Sequence, residues 1–321
     1  MRAGPLPFRR AWNVPVVLLL SLVALIALSG CASNPSGASG GPNSAAAGGT
    51  SADLVSSVRK VDAAAALLPA AVRASGEITV ATAIGGPPSA SYPDGASSTP
   101  VGQDIDITDA VAAVLGLRVN RQIAAFETIL PGLSSGKYQL GVGNFGVTTE
   151  RLKTVDFVTY IDDGQGFAVR AGSPIKQISS LRQLCGLTVG TGAGTTFEAT
   201  LEQNAHVCTD AGQPAYRVQV YSDGGALQLG LQQGRFDVLM STINGLRYQE
   251  KQTGGAVHYL GPFHRLDVGF VFPKGSPLTR AFQAAVQHLI ADGTYRKILA
   301  AWGTTDSAIT TSQIDPPESA G

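Results

Sequence analysis

The sequence predicts an α/β fold of two domains with mixed, mostly parallel sheets, and three observations predict it. Apolar strand-like runs alternate with helical periodicities from Gly76 to Trp302, the pattern of parallel strands joined by crossover helices. The chain has 321 residues, enough for two domains and a sizeable core. Hydrophobic residues make up 44 % and charged residues 14 %, which excludes a wholly disordered chain. The 23 basic and 23 acidic side chains balance and form no basic run, so nucleic acid is not an expected partner.

The elements follow in order. Arg2, Arg9 and Arg10 precede an apolar stretch from Val14 to Leu28, too short to span a bilayer at ~20 residues but suited to the core of a secretory signal. It ends in Leu28-Ser29-Gly30-Cys31, which resembles the lipobox of bacterial lipoproteins. That resemblance implies removal of residues 1–30 and attachment of diacylglycerol to Cys31; the alternative is a plain anchor helix. The mature chain would carry net charge −3. Residues 31–52 are small and polar after Cys31 and read as a tether with a reach of roughly 25 Å. Within 53–75, Leu54, Val58, Val61, Ala65 and Leu68 recur at helical spacing, predicting one short helix against the body.

Ile78–Ala83 reads as a strand, Asp106–Leu115 as a helix stopped by Gly116, Leu117–Ile123 as a strand, Phe126–Leu133 as a helix and Leu140–Val142 as a strand. A second series runs Phe167–Arg170 and Leu187–Gly190 (strands), Thr196–Asn204 (helix), Arg217–Tyr221 (strand), Gly225–Gln233 (helix) and Phe236–Ser241 (strand). After the strand Val268–Phe272, Ser276 is the expected cap of a helix opened by Pro277, and Tyr295, Ile298, Leu299 and Trp302 mark a last helix. From Ser307 the tail reads as loose. Cys185 and Cys208 are either a disulfide closing a loop of about 24 residues, worth roughly 3 kcal/mol, or two buried thiols. The four His lack metal-ligand spacing, so no metal and no cofactor is expected.

Three segments carry candidate chemistry. Gly190-Thr-Gly-Ala-Gly-Thr195-Thr196 lies between a strand and a helix, without the Lys of a P-loop or the spacing of a dinucleotide loop. Its N–H groups and two hydroxyls suit a small anion such as a carboxylate; ordinary capping by Thr195 is the plainer use. Arg151, after Thr148-Thr149-Glu150, is of the type that grips a carboxylate with two parallel bonds, unless it serves a structural ion pair. Phe126, opening a helix after a strand, is placed either to flank a ligand or to join the core.

Together these segments resemble a family. Gly102-Gln-Asp-Ile-Asp-Ile107, Leu115-Gly-Leu117, the run from Phe126 to Tyr138, Thr149-Glu-Arg-Leu-Lys-Thr-Val-Asp-Phe157, Gly194-Thr-Thr196, Gly234-Arg-Phe-Asp237 and Gly293-Thr-Tyr295 occur in the order found in the extracellular solute-binding proteins of family 3. These are the polar-amino-acid receptors of ABC importers. Leu184-Cys185-Gly186 with Cys208 is similar to actinobacterial members. The resemblance spans about 68–303 and implies a two-lobed, type II periplasmic-binding-protein-like fold with two chain crossings as a hinge. Lobe I would be 76–163 with a return at 265–303, lobe II 164–264, and 304–321 a loose tail.

By position, the resemblance implies that Arg151 binds the ligand carboxylate, with Thr195 and Thr196 completing the clamp from the other lobe. Phe126 would flank the ligand, and Asn144, Gly146 and Thr148 would offer hydrogen bonds. Two positions depart from the family. Thr242 stands where an Asp usually receives the ligand ammonium, and a Thr cannot neutralise that charge. Gly86 stands where an aromatic is usual, with Tyr92 nearby in the same loop. The expected function is a lipid-anchored, monomeric receptor on the outer face of the membrane or in the periplasm. It would deliver a small carboxylate-bearing solute, an amino acid or an amine-free compound, to an ABC permease without catalysis. The rivals are a sensory or structural lipoprotein on the same fold and a dehydratase-like enzyme.

Overall fold

A computed structural model describes residues 51–93 and 99–319. The signal, most of the tether and Cys31 lie outside the described residues. In chain order the helices and strands are α1 (Ser51–Ser57), α2 (Asp62–Ala65), α3 (Ala70–Ser75), β1 (Glu77–Thr82), α4 (Gln103–Leu115), β2 (Arg118–Ile123), α5 (Phe126–Ser134), β3 (Leu140–Gly146) and β4 (Val155–Arg170). They continue as β5 (Thr188–Gly192), α6 (Thr196–Gln203), β6 (Arg217–Tyr221), α7 (Gly224–Gln232), β7 (Val238–Thr242), α8 (Ile243–Gln252), β8 (Val257–Pro273), α9 (Thr279–Ala291) and α10 (Thr294–Trp302).

The described strands form one continuous ladder in the order β2-β1-β3-β8-β4-β7-β5-β6. Each flank is parallel (β1 with β2 and β3, β5 with β6 and β7), while the centre is antiparallel. The joint between the flanks is the pair β4 and β8, which runs through both. Separate cores follow. One lobe packs Ile78, Val111, Phe270, Phe282 and their neighbours, with a second cluster around Ile129, Phe145 and Phe157. The other packs Phe167, Leu184, Leu201 and Met240, with a cluster around Leu231 and Phe236.

The ladder between β4 and β8 loses register at Thr159/Ile161 and twice between Gln165 and Ala168, so the crossing lies in its least regular stretch. Gly164 pairs there with Arg265 and has φ +134°; a Cβ at this site would run into the backbone of His264, so only glycine fits. Cys185 and Cys208 form a disulfide with Cα atoms 5.5 Å apart. No described helix is long and apolar enough to cross a membrane.

Three expectations are corrected. The helix read across 53–75 is three short helices, because Val61 is extended and its N–H bonds to Val114 O on α4, while Pro69 begins the third. Ser276 does not cap α9, which begins at Thr279. Asp156 Oδ2 accepts the N–H groups of Gly275 and Ser276, holding them in a preceding turn where Ser276 Oγ accepts from Leu278 N–H.

The tail is not loose. β7 pairs with β4 only over Gln165–Ala168, so the first half of β4 lacks a neighbour on that side and its buried backbone groups need partners. The tail supplies them: Gln313 O accepts from Thr159 N–H at 2.9 Å, Ser312 Oγ donates to Thr159 O, and Asp315 Oδ1 accepts from Phe157 N–H. Glu318 then accepts from Thr149 N–H at 2.8 Å.

Candidate functional site

A cleft of about 360 Å³ opens between the lobes, within the range of small-molecule sites. Its first wall comes from the ends of β1 and β3, the loop after β1 and the start of α5. The second comes from the end of β5 and the starts of α6, α7 and α8. Helix N-termini cluster on the second wall because each follows a parallel strand, placing N–H groups at the carboxyl edge of the sheet.

Arg151 lies in the turn after β3. Phe126 and Phe145 stack with centroids 4.3 Å apart, and the guanidinium sits 5.7 and 5.5 Å from the two rings. One nitrogen donates to Gly146 O at 3.0 Å and another to Gly194 O at 3.1 Å, so a single side chain touches both lobes. Burial pushes its pKa down to about 10, which leaves it cationic at neutral pH. Two of its nitrogens are engaged in this way, and the fork retains N–H groups for an anion.

Phe126, Asn144, Arg151, Thr195 and Thr196 line the cleft, as do Thr242 and Gly86. Gly146 and Thr148 do not line it; both support Arg151, Gly146 through its carbonyl and Thr148 through Oγ1, which accepts from Arg151 N–H at 3.2 Å. Tyr92 does not line it either. The Thr195 hydroxyl caps α6, accepting from Glu198 N–H and donating to Gly192 O. Thr242 Oγ1 likewise accepts from Gly245 N–H at 3.1 Å as the cap of α8.

Further residues that the sequence reading did not single out also line the cleft. Tyr221 supplies a ring from the second lobe, and Gln228 and Gln249 supply amides. Two acids also line it: Asp223, whose Oδ1 caps α7, and Glu127, whose Oε2 is buried without a hydrogen-bond partner among the described residues. Asp223 carries the one available signal, an acid directly before a helical periodicity. Among the described residues no His/Cys/Asp/Glu group has the arrangement of a metal site.

The walls also approach one another directly. Gly194 has φ +70°, and a Cβ there would come within 2.8 Å of the Glu127 Cβ. A Cβ on Gly224 would come within 3.1 Å of Gly85 O. The lobes are therefore closed on one another.

Comparison with known proteins agrees with this architecture. The sequence pattern of the bacterial extracellular solute-binding proteins, family 3, matches residues 78–305. The arginine-binding protein ArgT of Corynebacterium glutamicum is 28 % identical over 219 residues, 67 % of this chain and 71 % of that protein. An ancestral arginine-binding protein bound to arginine superposes with a TM-score of 0.63 at 31 % identity, covering 71 % of this chain and 98 % of that one. The ancestral amino acid-binding protein AncCDT-1, a precursor of cyclohexadienyl dehydratase, gives 0.63 at 25 % identity over 72 % of this chain and 97 % of its own.

Proposed function

This chain belongs to the bacterial extracellular solute-binding proteins of family 3, and we propose that it is the amino-acid receptor of an ABC importer. The observation that carries the reading is Arg151, a cation on an aromatic platform that already touches carbonyls of both lobes. The ligand carboxylate takes its remaining N–H groups, with the Thr196 hydroxyl and the N–H groups at the start of α6 closing on the same oxygens. Phe126 flanks the ligand. Bonds contributed by both walls exist only when the lobes are together, so ligand shifts the population toward closure.

Glu127 and Asp223 favour an amino acid over an amine-free carboxylate, because they supply negative charge to a cleft that otherwise holds Arg151. Relatives and structural neighbours that bind arginine or other amino acids support the same class. The protein acts as a monomer, exported and held to the membrane by lipid on Cys31, handing its ligand to a permease. Loss of acyl labelling in Cys31→Ala checks the anchor.

A thermal-shift screen of the full chain in mild detergent, against the twenty L-amino acids, L-cystine and matched carboxylates lacking the amine, tests the function. At about 100 times its dissociation constant a ligand stabilises by about 2.7 kcal/mol. A shift with one or a few amino acids is expected; a shift only with amine-free carboxylates, the reading that Thr242 favours, overturns it.

A further inference from the structure

We propose that Asp163, buried behind the cleft, is a specificity-determining positioning residue: it holds the Asn144 amide so that its carbonyl oxygen receives the ligand ammonium. The inference rests on the amino-acid reading above and deepens it.

Asp163 is 0 % exposed and lies where β4 passes from one lobe to the other, paired with Leu266. Its Oδ2 accepts from Asn144 Nδ2 at 3.0 Å and its Oδ1 from Asn244 N–H at 3.1 Å. Asn144 belongs to the first wall, and Asn244 is in the first turn of α8, whose cap Thr242 belongs to the second. One carboxylate therefore joins both walls at the crossing.

A carboxylate only accepts, so the amide of Asn144 must turn its nitrogen toward Asp163. The same nitrogen has Ser89 Oγ at 3.4 Å, so both of its hydrogens have acceptors. Asn144 Oδ1 receives no hydrogen bond among the described residues, leaving it as an acceptor on a side chain that lines the cleft. Asn144 also has φ +59°, an uncommon conformation for a side-chain-bearing residue, fixing the end of β3 at this point. The Thr242 oxygen at the opposing wall is already committed to Gly245.

The effect depends on the charge of Asp163. Burial pushes its pKa up to about 7, and bonds from Asn244 and Asn144 oppose that rise. The groups facing it are Asp104 on α4 and Tyr160 on β4, Arg265 and Tyr259 on β8, Asn144 on β3 and Asn244 on α8. Of these, Asp104 favours the neutral form and Arg265 the ionised form. A protonated Asp163 must donate one bond, and Asn144 is then free to turn its nitrogen toward the cleft, where it opposes a cation. Affinity for an ammonium-bearing ligand thus falls as pH drops through Asp163's titration, while affinity for the same carboxylate without its amine does not.

The test is calorimetry with the full chain in mild detergent, using the tightest binder among the twenty L-amino acids and L-cystine, and its α-desamino analogue. In wild type the amino acid should be preferred at pH 8 by about tenfold, the worth of a hydrogen bond to a charged group, and the preference should shrink at pH 5.5. Asp163→Asn should abolish the pH dependence and weaken the amino acid more than its analogue. Adding Thr242→Asp to that variant should restore the preference. A preference in Asp163→Asn that still varies with pH, or a parallel loss of both ligands without rescue, overturns the proposal. Failure of wild type to bind any amino acid instead overturns the function on which it rests.

Discussion

Under the proposed function, two parts of the cleft meet opposite electrostatic demands by different means. At one end a cation stands at the surface of the cavity, with rings beneath it and carbonyls from both lobes beside it. At the other the lining position nearest the start of α8 is a neutral Thr, and a carboxylate stands one layer behind, reaching the cavity through an amide. On this proposal direct contact would give strength, and action through a second residue would give a preference that a proton can cancel, so affinity and selectivity would rest on different residues.

Removing the direct contact should have the largest effect. Arg151→Met should weaken the tightest amino acid by about 100-fold or more in calorimetry, since a buried ion pair that loses one partner typically costs about 3–5 kcal/mol. Arg151→Lys should recover little, because an ammonium cannot make the paired bonds.

The second contrast is pH. Burial holds Asp104 at about 6 and Asp163 at about 7, above the usual 3.8, so the folded chain keeps protons that the unfolded chain has released. Their contribution to stability is full at low pH and is lost as pH rises toward those values. The melting temperature of the ligand-free protein should therefore fall between about pH 4 and pH 7, and Asp163→Asn should flatten the upper part of that slope. Arg151, charged throughout, should leave binding of amine-free carboxylates level over the same range.

Closure contacts come next. Gly194→Ala adds a Cβ that meets Glu127 when the lobes are together, and affinity should fall by about tenfold, as overpacking typically costs about 1–3 kcal/mol. Last, Ser307→Ala removes the two buried bonds between the tail and Asn244 and should lower stability by about 1–3 kcal/mol in denaturant titration, with little change in affinity for amine-free carboxylates.

What the sequence made legible follows the same division. Of the positions expected at the site, Arg151, Phe126, Asn144, Thr195 and Thr196 line the cleft, while Gly146 and Thr148 do not. β1, β2, α5 and β6 are readable because each is short, with local periodicity. The two long strands were legible only at one end each, since β4 and β8 cross between lobes and their polar stretches (Asp162-Asp163-Gly164, His264-Arg265) break the apolar pattern. α8 has only Ile243 and Leu246 as buried apolar residues and shows no helical stripe. The tail is polar because its side chains complete hydrogen bonds with β4, and polarity without periodicity reads as loose. Asp163 was invisible for a related reason: its partners lie 19 and 81 residues away along the chain.

The central claim is that the ligand carboxylate meets Arg151, and masking that carboxylate tests it most directly. Calorimetry would compare the tightest amino acid with its carboxamide on wild type and on Arg151→Met. The account predicts that wild type favours the acid by about 100-fold and that the variant binds acid and amide alike, so that the two changes share one coupling energy. Equal affinity of wild type for both ligands, or an undiminished preference in the variant, would contradict it.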